Sequence, residues 1–212
     1  MILKIITRNK RNEGDAVMTK CDNCPSLMKH EYSCRSRIVQ VFSHTVLQED
    51  LLAAIKEFYI KDVELLARNV NEVCITSHIF HYFASKFSSK YGDYNIDPEY
   101  NKNGYGAKYY RRDHYAKPDL IIHKRNCNRN NLLYAEFKTN VCGHDLHDKE
   151  KIERFVSNDF GEENGRPIAP YRYKFGVSIV LNQDTVKMLW YRSGQKVPLC
   201  ENIFSTVTWE MV

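Results

Sequence analysis

Lys117-Pro118-Asp119-Leu120-Ile121-Ile122-His123 and Leu132-Leu133-Tyr134-Ala135-Glu136-Phe137-Lys138 are two short apolar runs flanking a polar loop, 124–131, rich in Asn and basic residues. Loops of this composition between apolar runs signal a β-hairpin. Folding the runs about the middle of the loop sets Asp119 opposite Glu136, Leu120 opposite Ala135 and Ile121 opposite Tyr134. Strand side chains alternate faces, so Glu136 and Lys138 share one face and Phe137 takes the other. Directly opposite residues have Cβ atoms about 5 Å apart, and like charges at that separation are destabilising unless compensated. A bound divalent cation is the obvious compensation. The pair, with Lys138 beside it, therefore reads as a site.

Two carboxylates on adjacent strands make a hard oxygen site of the kind Mg2+ or Mn2+ accepts, usually with several waters retained. The backbone carbonyl of Phe137 is a further candidate ligand. A cation held there lowers the pKa of a bound water and neutralises charge on a phosphoryl oxygen. Lys138 can orient the attacking water or a phosphate oxygen and stabilise the transition state electrostatically.

Outward from the hairpin, the chain alternates helical and extended patterns. Leu51, Leu52, Ile55, Phe58, Tyr59, Leu65 and Leu66 fall on one helical stripe, predicting a helix over 49–68. Asn71 offers an N-cap for a second helix running to about Ser89, with Glu72 in its first turn. Val73, Thr76, Phe80, Phe83, Ala84 and Phe87 are its expected buried side. His78 and His81 on this helix read as surface or core-edge histidines. Residues 95–101 read as an extended piece that Pro98 confines to an edge or a bulge. Beyond the hairpin come a helix from about Asp145 to Val156, with Leu146, Ile152, Phe155 and Val156 as its apolar side, and strands over 174–181 and 186–192. A last strand is expected around Phe204–Trp209. This order predicts an α/β protein with one mixed sheet between helices.

The composition, 43 % hydrophobic and 27 % charged, calls for a packed core and excludes global disorder. The net charge of +5 permits a polyanionic partner without demanding one. Its distribution is more informative. From Lys102 to Arg125 there are seven Lys or Arg against two Asp, interleaved with Tyr105, Tyr109, Tyr110 and Tyr115. Such a run can track phosphates and stack on bases, which makes Lys108, Arg111, Arg112, Lys124 and Arg125 the candidate nucleic-acid contacts.

Residues 1–47 differ from the rest. They lack a clean period, hold eight Lys or Arg against four Asp or Glu, and include Cys21, Cys24, His30 and Cys34. That spacing approaches a zinc knuckle, with His30 one residue off the usual position. The alternatives are a Zn2+-binding docking appendage and a partly disordered basic extension with free thiols. The expected division is thus an extension, 1–47, and a domain, 48–212. Seven cysteines and only a short apolar run over Met1–Thr7 point to a cytoplasmic protein with reduced thiols and no membrane span.

Pro118-Asp119, sixteen intervening residues and Glu136-Phe137-Lys138 resemble the signature of the PD-(D/E)xK nuclease superfamily, the restriction-endonuclease-like fold. Glu99-Tyr100-Asn101, the run Asp119–Arg125 and Asn131-Leu132-Leu133 are similar to stand-alone bacterial members. The resemblance covers about residues 48–195. It implies an αβββαβ core whose second and third strands carry the motif. It also implies a divalent-metal-dependent hydrolase, an endonuclease or exonuclease acting on DNA or RNA, with DNA the first expectation. Asp119 and Glu136 match the family's metal ligands and Lys138 its motif lysine. A further carboxylate often assists: Glu72 is the first candidate and Glu99 its rival. The helix after the motif often supplies a polar residue facing the substrate, here His144, His147 or Lys151. His144 and His147 with Asp148 are alternatively a metal cluster, or simply a hydrophilic first turn. Cutting both strands of a duplex would favour a homodimer. The other reading of the same fold is a module that grips nucleic acid or a protein without cutting.

Overall fold

A central sheet of six strands is sandwiched between helices, in the order β1 (Asn95–Asp97), β6 (Leu120–His123), β7 (Leu133–Thr139), β10 (Phe175–Leu181), β11 (Thr185–Arg192) and β12 (Cys200–Ser205). The computed structural model describes residues 42–103, 106–111, 114–125, 131–140, 143–159, 161–163, 166–168, 171–195 and 197–212. The chain divides between Phe42 and Ser43, a few residues ahead of the expected boundary, and Ser43–Val212 forms one unit. The cysteine-bearing stretch with Cys21, Cys24, His30 and Cys34 lies outside the described residues.

Helix α1 (His44–Lys61) starts at Ser43, whose hydroxyl accepts from the Val46 N–H. The expected single helix over 49–68 is in fact two, because the chain breaks at Asp62 before the short α2 (Val63–Ala67). The Asp62 carboxylate turns to α3 (Glu72–Phe87), where it accepts from the Tyr82 hydroxyl and meets His78 Nδ1 at 3.1 Å. Asn71 caps α3 as its sequence predicts, accepting from the Val73 N–H at 2.8 Å. The buried side of α3 is rotated from expectation. Ile75, Thr76, Ile79 and Phe83 face the core, while Val73 is exposed. Apolar residues nearly encircle this helix, so its period admits either stripe and packing against α1 selects one.

Strand β1 (Asn95–Asp97) is the sheet edge that Pro98 foretold, and it pairs antiparallel with β6 (Leu120–His123). Between them run four short strands in two small hairpins: β2 (Lys102–Asn103) with β3 (Gly106–Ala107), and β4 (Tyr109–Arg111) with β5 (His114–Tyr115). β6 then pairs antiparallel with β7 (Leu133–Thr139) in the register read from the sequence, Leu120 to Ala135 and Ile121 to Tyr134. Asn131 fixes the hairpin from inside: its side chain accepts from the Lys124 N–H and donates to the Tyr171 carbonyl.

Helix α4 (Leu146–Val156) follows, and a small hairpin, β8 (Gly161–Glu163) with β9 (Arg166–Ile168), leads on to β10 (Phe175–Leu181). β10 runs parallel to β7, and α4 is the crossover between them. β11 (Thr185–Arg192) and β12 (Cys200–Ser205) complete the sheet antiparallel. The last strand thus precedes the expected Phe204–Trp209, since the chain turns at Thr206 and Met211 returns to bridge Phe204.

Helix α4 covers the face of Tyr134, where Ile121, Ile152, Phe155, Val156, Tyr171, Tyr173 and Tyr191 form a core cluster. Leu146, expected on the apolar side, is 73 % exposed. The approach of helix to sheet is closest at Gly176, where a Cβ would lie 2.3 Å from Ile152 Cγ2 and 3.0 Å from Val156 Cγ1. The absence of a side chain there lets α4 settle onto β10, bringing its first turns over β7.

Candidate functional site

Asp119 stands at the entrance to β6, in line with Glu136 if the β6–β7 register is continued by one residue. Its Oδ2 accepts the backbone N–H of Phe137 at 2.7 Å. That bond ties the carboxylate to the strand bearing Glu136 and Lys138, and it brings Phe137 into the site through its amide. Glu136 is 2 % exposed. Its Oε1 accepts from the Tyr134 hydroxyl two residues earlier on the same face, and Lys151 Nζ lies 3.3 Å from Oε2.

Lys138 is held between two carboxylates, with Nζ 2.8 Å from Glu72 Oε1 and 3.4 Å from Asp148 Oδ2. Asp148 also receives Lys151 Nζ on Oδ1 at 2.8 Å. Four carboxylates (Glu72, Asp119, Glu136 and Asp148) and two ammonium groups therefore meet where α3, the β6–β7 hairpin and α4 converge. Local sequence explains each placement. Asp145 caps α4, its carboxylate accepting from the His147 and Asp148 N–H groups, and this sets the helix's rotation. Asp148 and Lys151, three residues apart, then share one helical face. Asn71 does the same for Glu72 in the first turn of α3.

The electrostatics follow from burial and crowding. Burial pushes Asp119 up to about 6; the Phe137 N–H opposes the rise, Glu72 and Asp148 add to it, and Lys138 subtracts. Burial holds Glu136 well above the carboxylate range, and the charge of Asp119 raises it further against Lys151. Burial works against the Lys138 ammonium, but its hydrogen bond to Glu72 and the charge of Asp148 outweigh that and hold it above its ordinary pKa. Lys151 is raised in the same way, Glu136 and Asp148 prevailing over burial. The facing acids thus favour retaining a proton, and the lysines stay charged.

The donor set suits a hard divalent cation, since all four acids offer oxygen, although Asp148 Oδ2 already faces the Lys138 ammonium at 3.4 Å. Among the described residues, no three His, Cys, Asp or Glu side chains are grouped tightly enough to hold a metal ion as they stand. Lys138 and Lys151 are what stands between the carboxylates.

Of the two rivals for the further carboxylate, Glu72 lies at Lys138, whereas Glu99 pairs with Lys117 at 2.6 Å. Of the polar residues around α4, Lys151 reaches Glu136. His147 points outward, 69 % exposed and 3.7 Å from Glu150. The His144 side chain is 4 % exposed, with Nδ1 2.7 Å from Ser178 Oγ on β10 and Nε2 3.2 Å from Glu201 on β12. The alternative cluster of His144, His147 and Asp148 does not assemble, because the three side chains turn to different neighbours. Asp148 itself is the site residue that sequence reading missed as a partner of Lys138. The usable signal was its spacing of three from Lys151 behind an Asp cap.

The nucleic-acid candidates separate. Lys108 is only 2 % exposed, its ammonium against the Tyr100 and Tyr173 rings and 3.2 Å from both the Tyr100 carbonyl and the Tyr173 hydroxyl. It is a core residue and does not meet a phosphate at the surface. Arg125 is half exposed and forks onto Asp97, and Lys124 Nζ lies 4.9 Å from the centre of the Tyr94 ring. Arg112 and the side chain of Arg111 lie outside the described residues. Among the described residues, no helix is long and apolar enough to cross a membrane. The free thiols Cys74 and Cys200 are half-buried. No protein-family model, curated protein or solved structure matches the chain.

Proposed function

We propose that this chain is a divalent-metal-dependent nuclease that hydrolyses phosphodiester bonds of DNA or RNA. The observation that carries the reading is the convergence of Asp119, Glu136 and Lys138 on one hairpin, closed by Glu72 and by the Asp148–Lys151 face of α4. The order α3, β1, β6, β7, α4, β10 within the main sheet supports the αβββαβ core of the restriction-endonuclease-like fold.

Asp119 and Glu136 would hold Mg2+ or Mn2+, with the Phe137 carbonyl as a further ligand. The cation supplies an activated water and neutralises charge on the phosphoryl oxygens. The chain's own groups do the rest. The Phe137 N–H aims the Asp119 carboxylate. Tyr134 and Lys151 fix Glu136 from either side. Lys138, kept protonated by Glu72 and Asp148, donates to a non-bridging phosphate oxygen as negative charge builds there. Glu72 and Asp148 act through Lys138, as positioning residues.

Purified chain incubated with single- and double-stranded DNA and RNA in Mg2+ or Mn2+ tests this, beside Asp119→Ala and Lys138→Ala. Metal-dependent cleavage lost in both variants is the expected result. Cleavage that survives either substitution removes the site assignment. A second reading, a nuclease fold that binds nucleic acid without cutting, is favoured by one observation: Lys138 and Lys151 are already engaged by Glu72, Glu136 and Asp148. Salt-sensitive binding with no turnover in any metal would select it.

A further inference from the structure

The hairpin β4–β5 pairs Tyr109 with Tyr115 across its strands, their ring centroids 4.6 Å apart and the planes tilted by 36°. Alternation along β4 sends the next residue, Tyr110, inward, where it packs against the core cluster around Tyr134 and Phe155. Tyr109 and Tyr115 therefore share the opposite face, and Tyr115 is 63 % exposed. The base of the hairpin is fixed three times. The Tyr109 N–H donates to the Tyr171 hydroxyl, the Ala116 N–H to the Lys108 carbonyl, and the Lys108 side chain is buried under Tyr100 and Tyr173. The exposed Tyr115 ring thus stands on a hairpin whose base is tied to the core. It also lies only four residues before Asp119, so the two Cα atoms are at most about 14 Å apart along the chain. Lys117, between them, is 58 % exposed, and its ion pair with Glu99 is one a phosphate can compete for.

From this placement we propose that Tyr115, backed by Tyr109, is a stacking platform for an unpaired base, and that the site takes single-stranded nucleic acid within a few nucleotides of Asp119. The proposal rests on the nuclease reading for the chemistry after binding, but binding itself needs no metal. A duplex keeps its bases stacked on one another and offers the ring no free π-face, whereas a single strand offers one at every nucleotide. Phosphates flanking the stacked base fall beside Lys117.

Fluorescence anisotropy of the full chain in chelator, with labelled strands of one sequence as DNA and as RNA, tests the proposal. The matching duplex and an abasic strand, which keeps the phosphates and lacks the bases, complete the set. The expected result is tighter binding of the DNA or RNA single strand than of the duplex or the abasic strand. Tyr115→Phe stays within about twofold, while Tyr115→Leu, which keeps an apolar cross-strand partner but no ring, weakens single-strand binding about tenfold. A duplex or abasic strand bound as tightly as the single strand overturns the proposal, and so does a Tyr115→Leu chain that binds like the parent. A change in thermal midpoint without a change in single-strand affinity marks Tyr115 as a hairpin stabiliser only and equally overturns it. Because no metal is present, these outcomes are independent of the cleavage assay. Ring-dependent binding without cleavage in metal overturns only the nuclease reading, and cleavage without ring-dependent binding overturns only the platform.

Discussion

Lys138 Nζ lies 2.8 Å from Glu72 Oε1, so the lysine of the hairpin is tied to the first turn of α3, 66 residues earlier in the chain. The contact joins two layers of the fold at the point where the acids are densest. Both side chains are more than a quarter exposed, so the pair contributes little to folding, below about 1 kcal/mol. Its consequence is for the charge and aim of Lys138. Glu72→Gln should leave urea denaturation nearly unchanged and lower metal-dependent cleavage about tenfold, whereas Lys138→Ala should lower it by roughly 100-fold or more. Equal, large losses of stability in both variants would contradict this division of roles.

The acid pair should leave a signature in the pH dependence of stability. Asp119 is raised from 3.8 to about 6, so the folded state holds a proton that the unfolded chain releases. Stability from this group is fully present below the unfolded value and is lost as pH rises through about 6. In chelator, the parent chain should therefore lose on the order of 2 kcal/mol between pH 4 and 7 relative to Asp119→Asn, which cannot titrate. Parallel stability profiles for the two chains would show that Asp119 is not perturbed.

Gly176 is the contact that seats α4. In Gly176→Ala the new Cβ must displace Ile152 and Val156, at a cost of about 1–3 kcal/mol. Because α4 carries Asp148 and Lys151, cleavage should fall as well. Adding Ile152→Ala removes the atom that clashes, so the double variant should be less destabilised than the sum of the singles. Additive losses in urea melts would place the strain elsewhere.

Lys108 predicts the opposite pH slope from Asp119. Burial lowers it from 10.5 to about 7, with Asp97 opposing, so the unfolded chain binds its proton more tightly. Its penalty is full below about 7 and disappears as pH rises towards 10.5. Lys108→Met keeps the length and apolar body without the charge. It should stabilise the chain by on the order of 1–3 kcal/mol at pH 7 and flatten the difference profile between pH 7 and 10. A destabilised methionine variant would mean that the bonds to Tyr100 and Tyr173 outweigh desolvation.

Much of this fold was legible residue by residue. Alternation on both sides of a polar loop fixes a hairpin's faces and register, because a slip of one residue would turn Ile121 and Tyr134 to the wrong side. That is a local property, and it paired Leu120 with Ala135 and Ile121 with Tyr134, leaving Asp119 one residue ahead of the ladder and bonded to the Phe137 N–H. Caps are equally local, so Asn71 announced α3. The edge position of β1 followed from a proline that cannot donate to a ladder.

What the chain could not announce depends on which helix face meets the sheet, and that is decided by packing between distant segments. The α3 stripe turned to Ile75 and Ile79 because two stripes fitted the same period. Lys108 looked like a surface cation in a basic run, yet Tyr100 and Tyr173 enclose it. The choice of Glu72 over Glu99 needed the seating of α3 against β7, and the arrival of Asp148 needed α4 to close down onto Gly176. The sequence by itself determined the facing acids and their lysine, since neighbours in a hairpin are set by counting. Only the tertiary structure decided which further charges surround them, since those come from helices whose rotation and distance are fixed by the whole core.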